Sequence, residues 1–129
     1  MVIKATRKRN WFAYFSDNYR WSFITSIALM RTTVGASDPS EIFEVCRKIE
    51  NSNGSDKSWT REWTKMGEKI RKLAMEEKRK KHFLSASSHF NRACHYFQMA
   101  DRFAFPKNKV SNATYKKSID CFQQYTQLT

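Results

Sequence analysis

Ser58-Trp59-Thr60-Arg61-Glu62-Trp63-Thr64-Lys65-Met66-Gly67-Glu68-Lys69-Ile70-Arg71-Lys72-Leu73-Ala74 is the stretch that decides the fold. Its apolar residues Trp59, Trp63, Met66, Ile70, Leu73 and Ala74 recur at steps of 4, 3, 4, 3 and 1. At helical pitch those steps draw one apolar stripe along about four turns. A strand would scatter the same residues over two faces. Asp56 upstream supplies a helix cap. Gly67, which costs ~1 kcal/mol relative to Ala in a helix, sits beside the stripe and marks the close approach of another helix.

The pattern continues outward in both directions. Downstream, the polar run Glu76 to Lys81 leads into a helix expected to start near Ser85, where Ala86, Phe90, Ala93, Phe97, Ala100 and Ala104 step by 4, 3, 4, 3 and 4. Small and large residues alternate there, which lets a neighbouring helix pack closely. Pro106 closes that element, and Ser111 opens a last helix with Tyr115, Ile119, Phe122 and Tyr125 on one side. Upstream, Asp38-Pro39-Ser40-Glu41 reads as a complete start signal, a capping Asp, a Pro in the first turn and a Glu closing a capping box. Ile42, Phe43, Val45, Cys46 and Ile49 form the buried face behind it. A first helix is predicted over 20–34, ended by Gly35.

Composition agrees with this reading. The chain has 129 residues, enough for one domain. Three Gly and two Pro are too few for the many turns of an all-β fold. Hydrophobic residues make up 40% and aromatics 15%, too much apolar mass for a disordered chain. The expectation is an all-α fold of about five helices in an antiparallel bundle or hairpin array, without a β-sheet. Residues 1–18 form a basic, aromatic-containing arm, and 19–129 a single helical, cap-like domain.

The net charge of +12 favours anionic partners: acidic protein, membrane surface or nucleic acid. Its sharpest concentration is Lys78-Arg79-Lys80-Lys81, which could contact phosphates or simply complement the dipole at a helix end. The second reading is the stronger, and no nucleic-acid-binding signature accompanies the run. Cys46, Cys94 and Cys121 are too few for a disulfide framework and point to a reducing, cytoplasmic setting. No export signal or membrane-spanning stretch is evident. Asn53-Gly54-Ser55 and Asn112-Ala113-Thr114 match the glycosylation pattern, which carries no weight without secretion.

Catalytic machinery is not legible. The chain has no Gly-x-Ser-x-Gly elbow, no phosphate-cradling Gly loop and no Cys-x-x-Cys pair. His82, His89 and His95 are spaced by 7 and 6 residues, not the i, i+4 spacing of a helical metal site, so no metal and no cofactor are expected. Cys94 has no base at suitable spacing. Trp59 and Trp63 could form a binding platform, but a Trp stripe at helical spacing is more often core.

The order Ser58-Trp59 and Trp63, then His82, Ser85-Ala86, Arg92-Ala93, Tyr96 and Ala100 resembles the N-terminal helical segment of a family of α/β hydrolases. The family includes 2,6-dihydropseudooxynicotine hydrolase and the fungal yellowish-green pigment hydrolases that shorten polyketides. Tyr19-Arg20-Trp21 and Gly35 before Glu41-Ile42-Phe43 resemble it too, so the likeness spans about residues 19–128. Lys81 departs from it, standing where the family has Gly.

The resemblance implies a non-catalytic cap, a lid lining the substrate cavity of a core domain that holds the nucleophile, acid and His. No catalytic residue is assigned to this chain. His82, His89, Arg92 and Tyr96 are the cavity candidates, Arg92 being read first as a structural partner of Glu62 or Asp101. Trp59, Trp63, Ile70, Phe90, Ala93 and Phe97 are the expected core. The implied partner is an α/β-hydrolase core, with a homo-oligomer as the other possibility. The alternative is a stand-alone helical adaptor for a peptide, an acidic protein or a nucleic-acid backbone.

Overall fold

Helices begin where a short polar side chain can accept from the first free backbone amides. The computed structural model describes residues 14–52 and 54–129. In that span it has five α-helices: α1 (Tyr19–Met30), α2 (Pro39–Glu50), α3 (Asp56–Arg79), α4 (Phe83–Asp101) and α5 (Lys109–Leu128). Among the described residues there is no strand, and the fold is all-α. Trp11 and Phe12 of the arm lie outside the described residues. Tyr14 and Phe15 lie within them, and Phe15 packs edge-on against Trp21 and Trp59.

Several boundaries differ from expectation, each for a local reason. Asn18 caps α1, whose end tightens into a 3-10 turn over Arg31–Val34 before Gly35 turns left-handed at φ 70°. Ser55, not Asp56, caps α3. The carboxylate of Asp56 instead accepts from Trp21 Nε1 at 2.9 Å and Arg20 at 3.0 Å, tying α1 to the start of α3. α4 starts at Phe83, two residues before Ser85, and ends at Asp101, so Ala104 lies beyond it. Asn108 caps α5 and exchanges bonds with Ser111, which is the third residue of a reciprocal capping box rather than the opening residue.

α4 is the central rod. Phe90, Ala93, Tyr96, Phe97 and Ala100 on it are buried, as are Trp59, Trp63, Met66, Ile70 and Ala74 of α3. α3 and α4 approach closely at Gly67, where an added Cβ would lie 2.8 Å from the Phe97 ring. That is the close helix approach the glycine foretold. α5 packs on another side of α4 and reaches α3 through Lys117–Glu68, Arg71–Asp120 at 3.9 Å and Lys78–Gln124 at 2.7 Å. The partners ascend together along both helices, so α3 and α5 run parallel and α4 antiparallel to both.

Two expected core faces are rotated. Leu73 and Phe43 are exposed, because Ala74 and the Ile42–Val45–Cys46–Ile49 face carry the contacts. In α5 the difference is larger. Its buried residues are Ser111, Thr114, Ser118 and Cys121, while Tyr115, Ile119 and Phe122 are 55%, 41% and 51% exposed. Small side chains let α5 settle closely on α4, where Ser118 Oγ lies 3.6 Å from Cys94 Sγ. Tyr115, Ile119 and Phe122 are thereby left on the outer side, while Tyr125, the fourth residue of the expected face, is partly buried against the core.

Candidate functional site

The densest polar cluster lies where the start of α2 meets α4. Asp38 accepts from the amides of Ser40 and Glu41, as a capping residue should. The Glu41 carboxylate does not return to the Asp38 amide as an ordinary capping box requires. A tyrosine from α4 stands between them. Tyr96 Oη accepts from Asp38 N at 2.9 Å and donates to Glu41 Oε1 at 2.7 Å. Arg92, one turn earlier on α4, donates Nε to the same oxygen at 2.8 Å and Nη2 to Oε2 at 3.4 Å. Its Nη2 also lies 3.0 Å from His89 Nδ1, and Nη1 donates to Ser88 Oγ at 3.3 Å.

The electrostatics commit these groups to one another. Burial, reinforced by the Glu41 carboxylate, pushes the Tyr96 phenol above its ordinary range, so it stays a neutral donor. Burial, then the neighbouring Arg92 cation, lowers His89, so its imidazole is uncharged at neutral pH. Arg92 is paired structurally, but with Glu41 rather than Glu62 or Asp101. Glu62 faces Arg61 and Lys65, and Asp101 binds Lys107. The cluster spends Tyr96, Arg92 and Glu41 on one another. It clamps α2 to α4.

The remaining candidates lie apart from it. His82 follows the end of α3, where Lys81 N bonds Lys78 O and His82 N bonds Glu77 O, both at 2.9 Å. This is the double bond pattern of a left-handed helix stop, and Lys81 has φ 63°. His82 Nδ1 closes the turn on Glu77 Oε2 at 2.7 Å. The basic run Lys78 to Lys81 is therefore the exposed terminus of α3, where its charge opposes the negative end of the helix dipole. His95 bonds Asn91 O at 2.9 Å, and burial lowers its pKa. Among the described residues no three His, Cys, Asp or Glu side chains gather as a metal cluster.

The three thiols are free and buried. Burial raises Cys46 and Cys121 to about 12 and moves Cys94 the same way, which leaves none as a ready thiolate. Trp59 and Trp63 are wholly buried and stand in the core, with Trp59 Nε1 bonded to Met99 O at 2.8 Å. Among the described residues a cleft of about 420 Å³ opens beside Tyr14–Asn18, and another of about 520 Å³ opens between α3 and the α4–α5 connection. His82, His89, Arg92 and Tyr96 line neither.

Sequence reasoning missed Glu41 as the hub of the α2–α4 clamp, having read it only as a local cap. The two roles share one signal, an acidic residue three after a capping Asp, and only the tertiary fold separates them. No helix among the described residues is long and apolar enough to cross a membrane. In comparisons with known proteins the chain matches no family model, no curated protein and no solved structure.

Proposed function

We propose that the chain is a non-catalytic helical cap that covers an α/β-hydrolase core through the outer face of α5. The observation that carries the reading is the orientation of that helix. Small residues occupy its inner face, and Tyr115, Ile119 and Phe122 form an apolar stripe left in water at i, i+4 and i+7. An amphipathic helix exposing its bulky side has a second surface to bury. The α2–α4 clamp and the buried α3–α4 interior tie these helices to one another, as a cap that walls a cavity and excludes water requires. Lys81 adds support from its backbone. The resembled family has Gly at this position, and a positive φ is what Gly accommodates best.

The test is to express the chain with a hydrolase core encoded in the same reading frame or beside it. Esterase activity that needs both parts and falls when Phe122→Glu is introduced supports the cap. Hydrolysis by the helical chain alone would sink it.

A second reading, a free-standing adaptor for an acidic partner, is favoured by the surplus of 24 Lys and Arg over 12 Asp and Glu. It gains if no core-bearing frame exists and an acidic peptide shifts the amides of the α5 stripe.

A further inference from the structure

We propose that the cleft between the first half of α3 and the α4–α5 connection binds a small amphipathic organic anion, an aryl or alkyl carboxylate. Its volume of about 520 Å³ falls within the roughly 300–1,000 Å³ of pockets that take small organic ligands. Ala100, Phe103, Ala104, Phe105, Pro106 and Val110 give it an apolar lining, with Thr60 and Thr64 on the α3 wall. Phe105 and Val110 are 77% and 74% exposed, so an apolar body entering the cleft covers surface that folding leaves in water.

Charge selects the other end of the ligand. Lys57, Arg61 and Lys65 line the same cleft. Its two acids are already engaged, Asp56 by Arg20 and Trp21, Asp101 by Lys107 at 2.9 Å. Arg61 and Lys65 share the single carboxylate of Glu62, at 3.1 and 3.8 Å, and Lys57 makes no ion pair among the described residues. Surplus positive charge thus borders an apolar lining, and the complement is one negative group on a hydrophobic skeleton. Inorganic phosphate lacks the skeleton, and an amine carries the wrong sign. Tyr115, Ile119 and Phe122 do not line this cleft, so the site stands whether or not α5 docks on a core.

The test is an NMR titration of the ¹⁵N-labelled full chain with 1-naphthoate and, separately, its neutral amide. The expected result is saturable shifts at Thr60, Thr64 and Val110, with the amide about fivefold weaker, the scale of one or two exposed charge contacts. Lys57→Gln with Lys65→Gln is expected to weaken naphthoate by a similar factor and leave the amide unchanged. Ala104→Trp, which fills the cleft, is expected to abolish both. The lysine variant alters only exposed side chains, so it decides the matter even if the tryptophan variant does not fold. Equal affinity for acid and amide, shifts that map elsewhere, or no saturation by about 5 mM, a binding energy near −3 kcal/mol, would each overturn the proposal.

Discussion

Replacing Tyr96 with Phe isolates one oxygen atom at the α2–α4 clamp. The ring keeps its burial and its place 5.6 Å from Trp63, so little apolar contact is lost. What goes is the 2.7 Å donation to the Glu41 carboxylate and the acceptor for the Asp38 amide at 2.9 Å. A hydrogen bond to a charged group contributes about 1.5–3 kcal/mol. Arg92 remains on Glu41 and limits the damage, and water can reach the partly exposed Asp38 amide, which places the net loss near 2 kcal/mol. For a chain of this length that lowers Tm by about 8 °C. Urea unfolding at pH 7 measures the loss directly, and the slope should not change if only the folded state is affected.

A cycle with Glu41→Gln then separates the pair term, expected at about 1 kcal/mol or more for groups in direct contact. A loss for Tyr96→Phe below about 0.5 kcal/mol, the range of ordinary surface changes, would refute the clamp. It would mean that the hydroxyl is solvated, as in a side chain facing an open cavity.

Four further outcomes follow from the geometry. Gly67→Ala gains about 1 kcal/mol of helix propensity but drives a methyl into the buried Phe97 ring, an overpacking cost of about 1–3 kcal/mol, so a denaturation curve should show net loss, and a gain would place α4 farther away. Lys81→Gly relieves a left-handed residue at the end of α3 and should raise stability by about 1 kcal/mol, whereas a lower Tm would contradict the helix stop described. The three thiols, raised by burial, should resist iodoacetamide at pH 8 in the native chain and react together in denaturant, so rapid native labelling of any one would show that it is exposed. The Ser40 hydroxyl, followed by the backbone amides and opposed by slight burial, holds the Asp38 carboxyl below its ordinary 3.8, so its contribution is full above that pH and disappears as pH falls through the depressed value. Asp38→Asn should therefore be less stable than the parent at pH 7 and approach it in acid, and a difference that widens in acid would reverse the sign.

The sequence revealed most where a signal is local and repeated. The Trp59-to-Ala74 stripe, the Asp38-Pro39 start and the left-handed stop at Gly35 depend on spacing within one helix, and periodicity reads that directly. It could not read which side of α5 turns inward. Tyr115, Ile119 and Phe122 are bulkier than Ser111, Thr114, Ser118 and Cys121, so apolar patterning assigns them to the core. Close packing on α4 reverses that choice, since only small side chains let two helices approach where Cys94 meets Ser118. The clamp was illegible for a related reason. Glu41 and Tyr96 are 55 residues apart, and the bond between them replaces a local bond the sequence had already accounted for.

That replacement also bears on where function can reside. A reactive side chain must be poised but uncommitted. Here burial holds the thiols protonated, Tyr96 and Arg92 are tied to Glu41, and His82 is spent closing the turn after α3. Apolar surface stays in water on the outer stripe of α5 and in the cleft that Ala104, Phe105 and Val110 line beside Lys57 and Lys65. Unmet apolar surface is satisfied by contact rather than by bond making. The polar groups between α2 and α4 are thus spent on the fold, while the outer stripe of α5 and the cleft beside α3 keep apolar surface in water. Phe122→Glu tests the proposed cap: placed on the outer stripe, it should leave the thermal melt nearly unchanged while abolishing association with a co-expressed hydrolase core, because the side chain it replaces is half in solvent and contributes little to the fold.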